Sequence, residues 1–205
     1  MDIAFTSMDF DDRRLDLLRH ALAARPAYAA ERRPELGEAA VALLLRPREQ
    51  LEVLLIRRAE RERDPWSGHV ALPGGRRDAA DQDLLDTALR ETEEEIGVPR
   101  RLARLLGRLD DLAPRSPRLP PLIIAPWVLA VPPETEAMPD AREVDAAIWV
   151  PLDALRSEQA ISEILIHAGD DALRFPSLVY REYVVWGLTH QILTQFLDLA
   201  YEIGL

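Results

Sequence analysis

Residues 71–98 read ALPGGRRDAADQDLLDTALRETEEEIGV, and the second half of this stretch decides how the chain folds. Leu85, Leu89, Thr92 and Ile96 recur at helical spacing, which predicts a helix over residues 83–96. Gly97 stands where a helix C-cap belongs. Yet the same helix carries Glu91, Glu93, Glu94 and Glu95 close together. Like charges at that spacing repel by roughly 0.2–0.5 kcal/mol per pair. Such crowding calls for a compensating positive charge.

Glu91, Glu94 and Glu95 stand at i, i+3 and i+4, so they share an arc of about 100° on the helix surface. The apolar residues take the opposite face and are expected to pack on a sheet. Three carboxylates on one rigid face suit a hard cation, Mg²⁺ or Mn²⁺. Mg²⁺ keeps waters and shares its site with substrate phosphates. The preceding Gly74-Gly75 turn lets backbone approach the same place without a Cβ clash. Arg90 is placed to hold one carboxylate through a bidentate pair.

Outward from this segment, residues 39–46 and 51–58 are two apolar runs joined by PREQ and read as a buried β-hairpin. Residues 64–68, DPWSG, are a turn cluster. Strands are expected within 102–112, over 122–131 and over 146–152. Pro126 points to an edge or a bulge in the second of these. Pro151 opens a short helix, LDALRS. Residues 9–24, with Phe10, Leu15, Leu18 and Leu22, form an amphipathic helix, and apolar spacing over about 183–203 predicts a final one. Residues 113–121 hold four prolines in nine positions and form a loop. Hairpins, one central helix and irregular alternation give a mixed sheet with helices on its faces. Residues 1–38 are read as an N-terminal helix and linker packed on a domain spanning 39–205.

The bulk composition narrows the function. A chain of 205 residues with 48% hydrophobic content suffices for one domain with a sizeable core. A net charge of −11 disfavours nucleic acid and anionic membranes as partners. Small anionic substrates stay open, because local arginines or a bound cation invert the local field. The chain has no cysteine, hence no disulfide, thiolate metal site or cysteine nucleophile. No apolar stretch approaches the roughly 18 residues of a membrane span, and the first residues lack signal-peptide character. A cytoplasmic protein is expected, assembled as the commonest symmetric oligomer, a homodimer.

The quoted segment resembles the Nudix box: Gly, five residues, Glu, seven residues, then Arg-Glu-apolar-x-Glu-Glu-x-Gly-apolar. Gly75 matches the glycine, Arg90-Glu91 and Glu94-Glu95-Ile96-Gly97-Val98 match the second half, and Thr92 takes the apolar position. The family separates Gly from Arg by 14; here the separation is 15. Asp81 lies at the right distance from the glycine and is the candidate for the first acid. The resemblance implies an α/β/α sandwich with the box as loop–helix–loop. It also implies hydrolysis of a nucleoside diphosphate linked to another group, using Mg²⁺ or Mn²⁺ held by Glu91, Glu94 and Glu95.

The flanks resemble the coenzyme A pyrophosphatase branch of that family. Arg58-Ala59, Arg63 and Gly68 precede the Pro-Gly-Gly in kind, with one extra residue between Arg63 and Gly68, and Trp186-Gly187 opens the last helix. The branch implies cleavage of coenzyme A to 3′,5′-ADP and phosphopantetheine. Arg58, Arg63, Gly74 and Gly75 are the substrate-binding candidates; Arg90, Glu91, Glu94 and Glu143 are the catalytic ones. Glu143 lies where many members carry a glutamate just before a strand, which implies a distal metal ligand or a base; a solvated turn acid is the simpler alternative. Arg57, Arg61, Arg76 and Arg77 add to the arginines around the box; each is more simply a solvated charge. His69 is more simply structural. Competing readings are a Nudix enzyme for ADP-ribose, NADH or nucleoside triphosphates, and a non-catalytic nucleotide-binding module.

Overall fold

The computed structural model describes residues 11–33, 35–61, 66–114, 121–168 and 171–205. Phe10, Arg63 and residues 115–120 of the proline-rich loop lie outside them.

The expected hairpin forms from β1 (Gly37–Pro47) and β2 (Leu51–Arg58). The two strands pair only near their turn, from Pro47–Leu51 to Leu45–Val53, and then part. The segment before the box helix fills the gap. Its first piece, β3 (Val70–Ala71), pairs with β2; its second, β4 (Gly74–Arg76), pairs with β1. Between them the Pro73 carbonyl accepts from the Ala42 N–H at 2.8 Å. The other edge of β1 runs parallel to β6 (Leu122–Ala130) over nine residues. β5 (Arg104–Arg108) closes that side antiparallel to β6, and β7 (Val144–Pro151) pairs along β2 on the other.

Central strands of such a sheet are covered on both faces and read as continuous apolar runs. Ala40, Ala42 and Leu44 of β1 face one core; Ala39, Leu43 and Leu45 face the other. The first core is capped by α2 (Leu84–Ile96) through Leu84, Ala88 and Ile96. The second is capped by α1 (Arg13–Ala24), α3 (Leu152–Arg156) and α4 (Gly187–Glu202). Leu15, Leu18 and Leu22 of α1 enter this core, and Asp12 caps the helix by accepting from the Arg14 N–H. Leu15 and Leu18 are fully buried, so truncating either to alanine costs about 2–5 kcal/mol. The result is the expected α/β/α sandwich.

Three expectations are corrected. First, β6 is an interior strand, not an edge. The Pro126 carbonyl accepts from the Leu109 N–H, so its missing donor points to the same side. There the β5 ladder ends at Trp127 and resumes only at the Leu112–Ile124 bridge, so no partner is left wanting. Second, the last helix begins at Gly187. Residues 183–186 are instead β10 (Tyr183–Trp186), paired with β9 (Asp171–Tyr180), which pairs with β8 (Ile161–Ala168). This second sheet of three strands had no counterpart in the sequence reading. Third, Leu85 and Leu89 are only partly buried. The packed face of α2 is Leu84, Thr87, Ala88, Thr92 and Ile96, and it includes Glu95.

Candidate active site

Helix α2 starts at the Asp83 N-cap, whose carboxylate accepts from the Asp86 N–H, and stops at Gly97, in the left-handed region at φ 65°. Their spacing on α2 keeps Glu91, Glu94 and Glu95 within one arc, with Glu95 at its packed edge. Their environments differ sharply. The side chain of Glu94 is 58% exposed, that of Glu91 14% and that of Glu95 2%.

Glu95 is turned under the glycine turn. One carboxylate oxygen accepts the Gly74 N–H at 2.9 Å, and the other lies 3.6 Å from the Arg58 guanidinium. Burial pushes its carboxyl up to about 8; the Gly74 N–H and Arg58 oppose that rise, while Glu91 and Glu143 add to it. Burial also raises Glu91, with Arg90 pulling the other way. Gly74 and Gly75 thus serve the carboxylates directly. A Cβ on Gly75 would stand 2.4 Å from Glu91 Oε1. A Cβ on Gly74, at φ 151°, would stand 2.3 Å from the Ala40 carbonyl oxygen.

Arg90 is the positive charge that the glutamates demanded. Its Nε and Nη2 fork onto the two oxygens of Asp81 at 2.9 and 3.0 Å. Nη2 also donates to the Arg76 carbonyl, and Nη1 lies 2.9 Å from Glu91 and 2.8 Å from Glu94. All five guanidinium N–H groups therefore have acceptors. The fork holds the Asp81 carboxyl far below the usual carboxylate range. Asp81 is buried and faces the arginine.

Glu143 sits on the segment entering β7. That segment is tied to the end of α2, because the Met138 and Asp140 N–H groups donate to the Ile96 and Glu95 carbonyls. Glu143 lies 3.4 Å from Arg61, is about half exposed, and is felt electrostatically by both Glu91 and Glu95. Other arginines near the box are engaged by acids: Arg57 by Asp145 and Arg77 by Glu38. His69 packs edge-on against the Trp186 ring, with centroids 4.9 Å apart.

Among the described residues no three Asp, Glu or His side chains are gathered closely enough to hold a metal ion as they stand. The reason is local: Glu91 and Glu94 are turned onto Arg90, and Glu95 onto Gly74 and Arg58. The donor set still fits a divalent cation. It is all oxygen, and rotating exposed Glu94 off Arg90 frees a second carboxylate beside Glu91. Gly75 leaves the room that Glu91 occupies.

A family model for the NUDIX domain matches residues 35–167. The chain belongs to the Nudix family. An uncharacterised Nudix hydrolase NudL of Enterobacter sp. (strain 638) is 34% identical over 169 residues, 82% of this chain and 83% of that protein. A protein of the same name from Yersinia pestis (strain Pestoides F) is 34% identical over 155 residues, 76% of this chain and 75% of its own. Among solved structures, a MutT/nudix family protein from Enterococcus faecalis superposes with a TM-score of 0.55 at 18% identity, covering 94% of this chain and 76% of that one. That likeness concerns the fold alone. This Nudix chain is a pyrophosphate-cleaving hydrolase, of a family that acts on small nucleotide substrates with divalent metal ions. None of the described helices is long and apolar enough to cross a membrane.

Sequence reasoning had Arg90 gripping a carboxylate and Asp81 as a candidate first acid; the structure joins the two. It missed Thr87, whose hydroxyl meets Asp81. A buried threonine in the first turn of a helix is a faint signal, readable only once its partner is known.

Proposed function

We propose that the chain cleaves the pyrophosphate of coenzyme A, or of its derivatives, to 3′,5′-ADP and phosphopantetheine. The observation that supports this reading is that the flanking regions resembling the coenzyme A branch touch the box or one another. Arg58 faces Glu95 of the box, and His69, just ahead of the box, packs on Trp186 at the entry to the last helix.

Glu91, Glu94 and Glu95 would hold Mg²⁺ or Mn²⁺. When bound, the cation offsets the pyrophosphate charge and lowers the pKa of a coordinated water. Arg90 keeps Glu91 and Glu94 aligned from behind through its fork on Asp81. Glu143, half exposed and across from the box, is the base that takes the proton of the attacking water. One P–O bond forms to that water and the bridging P–O bond breaks. The displaced phosphate leaves with the negative charge, which Arg58 beside Glu95 helps to neutralise. Arg58 and Arg63, which match the branch motif, are the candidates for the 3′-phosphate.

The test is a substrate panel under one metal condition: coenzyme A, dephospho-coenzyme A, ADP-ribose, NADH and the nucleoside triphosphates. A forked arginine on a phosphate contributes roughly 1.5–3 kcal/mol. Coenzyme A should therefore exceed dephospho-coenzyme A in kcat/KM by about ten- to a hundredfold, and Arg58→Ala or Arg63→Ala, whichever removes the contact, should narrow that gap. A tenfold advantage for ADP-ribose or a triphosphate would overturn the coenzyme A assignment and leave a Nudix hydrolase of another substrate.

A further inference from the structure

The acid that grips Arg90 is an aspartate, and the stretch that joins the two is one residue longer than the family spacing. A shorter side chain on a longer loop needs its own means of orientation. Its carboxylate has four donors. Oδ1 accepts Arg90 Nε at 2.9 Å. Oδ2 accepts the Asp78 N–H at 2.8 Å, the Thr87 hydroxyl at 2.9 Å and Arg90 Nη2 at 3.0 Å. An ionised carboxylate only accepts, so the hydroxyl proton of Thr87 points at Asp81. The Asp83 carbonyl, 3.2 Å from the same hydroxyl, is the longer alternative.

Thr87 itself is fully buried on the packed side of α2. Threonine has no helix-propensity advantage over alanine there, and its methyl group alone would be served by valine. What valine lacks is the donor. From Thr87 the contacts run without a break to Asp81, to Arg90, and to the two glutamates Glu91 and Glu94.

We infer that Thr87 is a positioning residue of the Nudix site: its hydroxyl sets the plane of the Asp81 carboxylate, which in turn fixes Arg90 and the glutamates that Arg90 holds. The inference rests on Glu91 and Glu94 being cation ligands, and its test separates the two ideas. Groups that orient ligands from behind typically change metal affinity or activity by about ten- to a hundredfold when removed.

The experiment titrates Mn²⁺ alone into the intact wild-type chain, Thr87→Val, Thr87→Ser, Asp81→Ala and the Thr87→Val/Asp81→Ala double variant. Free Mn²⁺ is read by electron paramagnetic resonance, and each variant is melted in EDTA to verify its fold. Thr87→Val should weaken Mn²⁺ binding about tenfold or more, and Thr87→Ser should restore it. In the double variant the valine should add nothing to the loss from Asp81→Ala, because its route is already cut. Wild-type Mn²⁺ affinity in Thr87→Val, failure of Thr87→Ser to rescue, or additive losses in the double variant would each overturn the inference. If Thr87→Val does not fold, Thr87→Ser against Thr87→Ala decides by the same rescue, and equal Mn²⁺ affinity in those two overturns it. Absence of Mn²⁺ binding by the wild type would instead sink the ligand assignment beneath it.

Discussion

Replacing Gly75 by alanine should separate activity from stability, and the structure says by how much. The added Cβ would stand 2.4 Å from Glu91 Oε1, whereas real contacts essentially never fall below 3.0 Å. The Glu91 carboxylate, whose Oε1 lies 2.9 Å from Arg90, must therefore retreat from position 75 by at least about 0.6 Å. It is the far end of a flexible side chain, so the fold yields easily. The backbone at Gly75 is not in the left-handed region, so alanine also removes some unfolded-state freedom. The net stability change should stay within about 1 kcal/mol, or roughly 2–4 °C in Tm for a chain of this size. Displacing a reacting group by an ångström costs about a hundredfold in rate, so kcat should fall by a factor of that order. Gly74→Ala is the control with the opposite profile. Its φ of 151° suits glycine, and its Cβ would meet the Ala40 carbonyl oxygen and the Val41 Cα, neither of which can turn away. Strain and overpacking together cost on the order of 3 kcal/mol or more. Turnover on the preferred nucleotide and thermal melts of both variants provide the measurement. Wild-type kcat in Gly75→Ala, or a wild-type Tm in Gly74→Ala, would refute the steric reasoning.

Further outcomes follow from the same geometry. Glu94→Gln and Glu95→Gln should each lower turnover by orders of magnitude while circular dichroism stays unchanged; near-normal rates in both at saturating Mg²⁺ would remove the carboxylate site. Millimolar Mg²⁺ or Mn²⁺ should raise Tm, since a ligand that binds only the folded state stabilises it, and an unmoved Tm would count against cation binding. His190 is half-buried and its burial depresses its pKa below the ordinary 6.5. The unfolded chain then binds the proton first, so stability is present above pH 6.5 and is lost as pH falls. Wild-type Tm should accordingly drop more steeply than that of His190→Gln between pH 7.5 and 5.5, and parallel curves would argue that His190 contributes nothing.

Elements with strong local periodicity were legible in the sequence. The box helix, the β1–β2 hairpin and α1 each announce themselves by apolar spacing. The β8–β9–β10 sheet did not, because its signals are weak on both counts. Ile161, Leu165 and Leu173 are exposed, which blurs the alternation that marks a half-buried strand. Its β9–β10 turn is Arg181-Glu182, with Arg181 at φ 55°, where a two-residue turn is usually signalled by Asn-Gly. In the site, the identity of the glutamates followed from spacing, but their inequality did not. That Glu95 is buried and Glu94 exposed depends on where the Gly74 turn and Arg58 come to rest, and neither is fixed by neighbours in sequence. Arg57, Arg61 and Arg77 read as solvated charges in the sequence; the structure gives them acid partners up to 88 positions away, which no local pattern signals.

The segment wedged between the parted ends of β1 and β2 has a kinetic consequence. Active-site loops usually belong to the part of a protein that opens first. Here the Pro73 carbonyl holds the Ala42 N–H, and the Gly74 N–H is held by a glutamate buried beneath it. The Ala42 amide is released only when the segment parts from β1, and the Gly74 amide only when buried Glu95 turns away. Under native conditions their hydrogen exchange should therefore run at the rate of the slowest-opening core, while the exposed rim around Arg76 exchanges freely. The catalytic floor would keep its shape for as long as the molecule stays folded, leaving adaptation to different substrates to the loops above it.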